Sequence, residues 1–123
     1  MTYHACVDIG GTKVAVSLAD SLSVATRILH ARIAEPTAKE GGNNALAEQI
    51  LHLIDASLAQ QGASRADVSS VGISSCGPFV LNHGMVELAA PNICGGLAGK
   101  ARGLPNDWQT ALLQAPIAAV VVS

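Results

Sequence analysis

The sequence is short of aromatic residues and short of charge. One Trp, one Tyr and one Phe stand among 123 residues, half of which are hydrophobic. A core without rings must be aliphatic, built from Ala, Val, Ile and Leu, and a chain of this length can bury one. Seven Lys and Arg against nine Asp and Glu leave a formal net charge of −2. That balance offers no basic patch, so neither nucleic acid nor an anionic membrane is an expected partner. No apolar run approaches the roughly 20 residues that cross a bilayer. The opening Met1-Thr2-Tyr3-His4 lacks the basic flank and long apolar core of a secretory signal, so the cytoplasm is the expected compartment. The three cysteines, Cys6, Cys76 and Cys94, form no C-x-x-C pair, which argues against a zinc knuckle or a dithiol redox motif. They read as reduced thiols in or near the core. The histidines at 4, 30, 52 and 83 include no i, i+4 pair, so they do not suggest a metal site.

What is present is an α/β pattern. Tyr3 to Ile9 reads as a buried strand. Lys13 to Asp20 alternates, with Val14, Val16 and Leu18 on one face, and a tight hairpin joins the two. Asp20-Ser21 marks a turn, and Ser23 to Ala34 reads as a third strand with Leu29, Ala31 and Ile33 facing one way. Three leading antiparallel strands are therefore predicted. A helix over Ala45 to Gln60 follows from Leu46, Ile50, Leu53, Ile54 and Leu58 at helical spacing, with Asn43 or Asn44 as N-cap and Gly62 as stop. Val68 to Ser74 reads as a strand parallel to the first. Asn82-His83-Gly84 breaks two short apolar runs into a hairpin. Asp107 is a candidate cap for a short helix carrying Trp108, Leu112 and Leu113, ended by Pro116; Ile117 to Val122 then reads as a buried strand. The result is a mixed sheet with flanking helices.

The most informative stretch is Val7-Asp8-Ile9-Gly10-Gly11-Thr12-Lys13-Val14. A bend of small residues leaves backbone N–H groups uncovered, and several of them pointing one way make an anion site. Thr12 adds a hydroxyl and Lys13 a positive charge. Asp8 can hold a hydrated Mg2+, an ion that keeps most of its waters and needs few carboxylates. The set suits a magnesium-bound nucleotide. An ordinary hairpin without ligand fits the bare residue types equally well, since Gly-rich hairpins are common. A Walker A loop is excluded because Thr12 and Lys13 stand in reversed order and its first glycine is missing. A dinucleotide fingerprint is excluded because a strand, not a helix, follows. Gly72-Ile73-Ser74-Ser75-Cys76-Gly77 has one residue too many for a hydrolase nucleophile elbow, and nothing places a His beside Cys76.

Val7 to Asp20, "VDIGGTKVAVSLAD", resembles the first phosphate motif of the ROK family of sugar kinases and repressors, part of the actin, hexokinase and Hsp70-like ATPase group. "VGISSCGPFV" (71–80), "APNICGG" (90–96) and "RGLPNDW" (102–108) resemble later segments of that family in matching order. The resemblance implies an actin-like (ribonuclease H-like) N-terminal lobe over residues 1–123, with the family's C-terminal lobe and its His/Cys zinc motif absent. It implies that Asp8 orients Mg2+ through water and that Gly10, Gly11, Thr12 and Lys13 line the β/γ-phosphate end of ATP. It also implies that Gly77 and Pro78 shape the sugar cleft and that Asn92 hydrogen-bonds a hydroxyl of a hexose such as glucose. On bare residue types, Asn92 and Gly77-Pro78 are also ordinary turn residues.

In that family the sugar's base is the Asp of an Asn-Asp pair just after the strand that follows the last helix. Asn106-Asp107 lies before that position. The expectation is therefore part of an ATP-dependent hexokinase or glucokinase, inactive alone and self-associating through an uncovered apolar face. The alternative is a non-catalytic sugar- or nucleotide-binding module, such as a repressor-type ligand domain. ATP and polyphosphate remain equally open as donors.

Overall fold

Tyr3, Ala5, Val7 and Ile9 are buried while His4 and Asp8 between them are exposed. This two-residue period makes Tyr3–Ile9 the first strand, β1. The structure is a computed structural model that describes residues 2–21, 23–26, 28–38, 42–75, 79–89 and 110–120. β2 (Lys13–Ala19) runs back antiparallel, setting Val14 opposite Ile9 and Ala15 opposite Asp8. β3 (His30–Pro36) pairs antiparallel with β2. β4 (Val68–Ser75) lies parallel to β1 on its other side. The four-stranded sheet has the order β3-β2-β1-β4, the expected mixed sheet with three leading antiparallel strands.

The parallel pair needs a crossover, and the helix α2 (Ala45–Gln60) supplies it. Its bounds are those predicted. Leu46, Ile50, Leu53, Ile54 and Leu58 form a fully buried stripe against Val7, Ile9, Val14, Val16 and Leu18. Asn44 is the N-cap, but its side chain accepts no backbone N–H; its Nδ2 donates instead to Glu48 Oε1 (2.8 Å). At the far end Gly62 has φ +65°. Its N–H reaches Ala59 O at 3.2 Å, and the N–H of Ala63 reaches Leu58 O at 3.0 Å. This paired closure needs a left-handed residue, hence glycine.

A second, three-stranded sheet has the order β5-β6-β7, from β5 (Phe79–Asn82), β6 (Met85–Leu88) and β7 (Ala111–Leu112). His83 and Gly84 join β5 to β6 with φ +51° and +78°. Positive φ at both central residues is the primed turn that matches strand twist. No helix among the described residues is long and apolar enough to cross a membrane.

Three expectations are corrected. The third strand begins at His30, not Ser23, and runs to Pro36; Ser23–Thr26 is a single helical turn, α1. The turn is locked locally: Ser23 N–H donates to Asp20 O (3.1 Å), and Ser23 Oγ accepts from Asp20 N–H (3.0 Å). Leu29 and Ile33 do not share a face: Ile33 packs on the core, whereas Leu29 is half exposed. The cause is Ala31, at φ +54° beside a register shift between Val16 and Leu18, which resets the alternation. The buried Ser57 of α2 donates to the Ala31 carbonyl at 2.7 Å and holds this kink.

Finally, Gln114–Val120 is a helix, α3, where a strand over Ile117 to Val122 was predicted, and Ala111–Leu112 is strand where a helix was predicted. Pro116 does not end a helix but sits in the first turn of α3, where no N–H has an intrahelical partner to lose. Ala118 and Ala119 favour the helical state.

Candidate functional site

The two faces of the four-stranded sheet differ in chemistry. One carries the aliphatic core beneath α2. The other holds an open cleft of about 560 Å3 whose lining includes Cys6, Asp8, Ser17, Arg32, Gly72 and Ser74. Strand register explains the grouping. Asp8 is aligned with Ala15 of β2 and Ser74 of β4, and Cys6 with Ser17 and Gly72, so alternate residues of three adjacent strands reach one surface. Asp8, Arg32, Gly72 and Ser74 are exposed there, while Ser17 is buried at the floor.

The Gly10–Lys13 bend caps the end of β1. Gly10 N–H donates to Lys13 O at 2.8 Å, so this amide closes the hairpin and is not turned outward. A Cβ on Gly10 would stand 3.1 Å from Lys13 O, so a side chain here would crowd the closing hydrogen bond of the hairpin. The N–H groups of Gly11 and Thr12 have no acceptor among the described residues. Thr12 and Lys13 are exposed, and Lys13 shares the strand face of Ala15 and Ser17, the face of Asp8.

Sequence reasoning missed the residue that fixes this bend. Thr37, buried just after β3, donates from Oγ1 to Gly10 O (2.7 Å) and from its N–H to Thr12 O (3.0 Å). Gln49 of α2 holds the same segment: Oε1 accepts from Ala38 N–H (2.8 Å), and Nε2 donates to Pro36 O (2.7 Å) and Glu35 Oε1 (3.1 Å). The bend is thus braced by the helix through residues 35–38. Arg32 was also missed; it brings a guanidinium to the cleft that Asp8 lines. Its place two residues before Ala34, which pairs with Ala15, was the available signal.

Asp8 takes part in no ion pair among the described residues, and no cluster of three metal-ligating side chains occurs among them. One exposed carboxylate in a cleft that Ser17 and Ser74 also line fits an ion that retains its waters, as Mg2+ does. It does not fit a dehydrated transition-metal site, which needs three or four protein ligands. Burial pushes the Cys6 thiol above its ordinary pKa. Gly77, Pro78 and Asn92, the expected sugar-side residues, lie outside the described residues.

No protein-family model matches the chain, and no curated protein matches it. Solved structures do. The chain is similar to a ROK family glucokinase from Streptomyces griseus in complex with glucose and AMPPNP, with a TM-score of 0.54 and 24% identity over 98% of this chain. It is also similar to a glycerol dehydratase reactivase, with a TM-score of 0.50 and 24% identity over 63% of this chain. Both neighbours have actin-like ATPase folds, and this chain is a mixed α/β fold similar to theirs. The chain spans 30% of the glucokinase and 13% of the reactivase.

Proposed function

We propose that this chain is the N-terminal, phosphate-gripping lobe of an ATP-dependent sugar kinase of ROK type. One observation carries the reading: a braced hairpin whose Gly11 and Thr12 amides have no acceptor among the described residues lies at the end of the strand that bears the exposed Asp8. The glucokinase of similar fold, solved with glucose and AMPPNP, supports the ligand class.

In this reading the Gly11 and Thr12 N–H groups and the Lys13 ammonium bind the terminal phosphates, and the Asp8 carboxylate accepts hydrogen bonds from metal-bound water. Magnesium supplies charge neutralisation at the phosphate oxygens. Gly10 contributes by closing the hairpin. Gly77 and Pro78 form the sugar side, and Asn92, able to donate and accept, hydrogen-bonds a hydroxyl of a hexose such as glucose. The role proposed for residues 1–123 is the binding of nucleotide and sugar.

Calorimetry with Mg-AMPPNP, alongside a coupled assay with Mg-ATP and glucose, tests this. Binding that needs Mg2+ and falls at least tenfold in Asp8→Ala, without turnover, is the expected result. Wild-type protein that ignores Mg-AMPPNP would end the nucleotide reading. Turnover abolished by Asp8→Ala would show a complete enzyme.

A further inference from the structure

Val16 pairs with Ile33 and Leu18 with His30, so between these pairs β2 has one residue and β3 has two. Ala31 and Arg32 together oppose Ser17, the arrangement of a β-bulge. Ala31 takes φ +54° there, a left-handed conformation that its Cβ disfavours. A glycine would relieve it. The sequence keeps alanine and fastens its carbonyl to Ser57 of α2, a fully buried serine whose Oγ donates at 2.7 Å. Backbone strain of this kind persists only where its surroundings hold it, and it gathers at ligand sites. Bulges likewise re-aim side chains beside such sites. The side chain that follows the kink is Arg32, exposed and lining the cleft of Asp8.

We infer that Arg32 is a phosphate ligand of this cleft, held by the Ala31 kink to take the phosphate of the bound nucleotide that lies farthest from the Gly10–Lys13 bend. The inference rests on the nucleotide reading above. Strand register sets the parts along one track. Lys13, Ala15 and Ser17 follow one another on the open face of β2, with Asp8 beside Ala15 and Arg32 beside Ser17. From Lys13 to Ser17 the strand advances ~13 Å at ~3.3 Å per residue. A cation therefore stands at each end of the track and a carboxylate near its middle. A magnesium-bound phosphate chain is complementary to that order, with negative oxygens toward the ends and the metal over the carboxylate. The residues along the track, Ala15, Ala34 and Gly72, are small, so they leave room above the sheet. The planar guanidinium offers paired N–H donors that match two phosphate oxygens at once, a geometry in which lysine is no substitute. Lys13 and the bend amides then hold the terminal phosphate, and Arg32 fixes the direction in which the rest of the chain runs.

Calorimetry with Mg-AMPPNP on the full chain, at ~0.15 M salt to screen distant charges, tests this. Arg32→Gln is expected to weaken binding at least tenfold with circular dichroism unchanged. Arg65→Gln removes the same charge from a residue that pairs with Asp55 at 2.8 Å and does not line the cleft; a change below twofold is expected. Ser57→Ala takes the donor from the Ala31 carbonyl. It is expected to weaken binding severalfold in the wild-type background and to have no further effect in Arg32→Gln. Wild-type protein that does not bind Mg-AMPPNP overturns the nucleotide reading and this inference with it. Binding that Arg32→Gln leaves intact overturns this inference alone. So do equal losses from Arg32→Gln and Arg65→Gln, which would reflect net charge only. An effect of Ser57→Ala that is the same in both backgrounds would mean that the kink serves the fold rather than Arg32, and overturns it too.

Discussion

The sheet's two faces are made from the same strands and behave as different materials. On the α2 side Val7, Ile9, Val14, Val16 and Leu18 meet Leu46, Ile50, Leu53, Ile54 and Leu58, almost all without solvent exposure. On the other side the same strands show Cys6, Asp8, Ser17, Gly72 and Ser74. Strand alternation does the sorting, so a one-residue slip of β1 would exchange the two sets. The difference shows where stability and ligand chemistry reside. The aliphatic face holds the fold, and the open face is free to carry polar groups because the fold does not need it.

The largest effect should come from attacking that division at its apolar side. Leu53→Ala empties a fully buried site and should cost about 2–5 kcal/mol of unfolding free energy, measured by urea denaturation. Asp8→Asn, on the open face, should stay within about 0.5 kcal/mol of wild type in the same experiment. Comparable losses from both would mean that the faces are not energetically separate.

Thr37 sharpens the comparison because it links the two sides. It is buried, yet its bonds go to the bend. Thr37→Val leaves the Gly10 carbonyl without its hydroxyl donor and should cost about 1–2 kcal/mol. It should also weaken Mg-AMPPNP binding by loosening the Gly11 and Thr12 amides. Thr37→Ser keeps the hydroxyl and should restore affinity. Equal affinity in the Val and Ser variants would show that the brace does not position the bend.

What the sequence discloses follows the range of the forces involved. β1, β2, β4 and α2 were legible because period and caps are local; Gly62 marks the helix end for a reason contained between Leu58 and Ala63. α3 was not. Ile117-Ala-Ala-Val-Val-Val is a short apolar run, and such runs fit helix or strand alike. The start of β3 was missed because Asp20 and Ser23 trade bonds that compete with a ladder. Asp8 and the Gly-rich bend were visible as a pattern. The engagement of Gly10's amide and the brace from Thr37, 27 residues away, arise only from tertiary proximity. Gly77, Pro78 and Asn92 lie outside the described residues.

The smallest effect concerns Cys6, which lies on the open face between His4 and Asp8, half-buried, with Sγ 3.9 Å from the His4 carbonyl. Burial favours the neutral thiol and so raises its pKa above the ordinary 9.0. Iodoacetamide should therefore alkylate Cys6 more slowly at neutral pH than it alkylates free cysteine, with a rate that rises at a higher pH than the free thiol's; peptide mass mapping separates Cys6 from the other two thiols. The linkage has a definite sign. Below the thiol's unfolded value this group leaves stability unchanged, and between the unfolded and the raised folded value stability falls as pH rises, because the unfolded chain releases the proton first. Mg-AMPPNP, seated over Asp8, should slow alkylation further, while AMPPNP with EDTA should not. Alkylation at the free-cysteine rate would show that this face is open down to its floor, and the contrast between the two faces would then be one of composition alone.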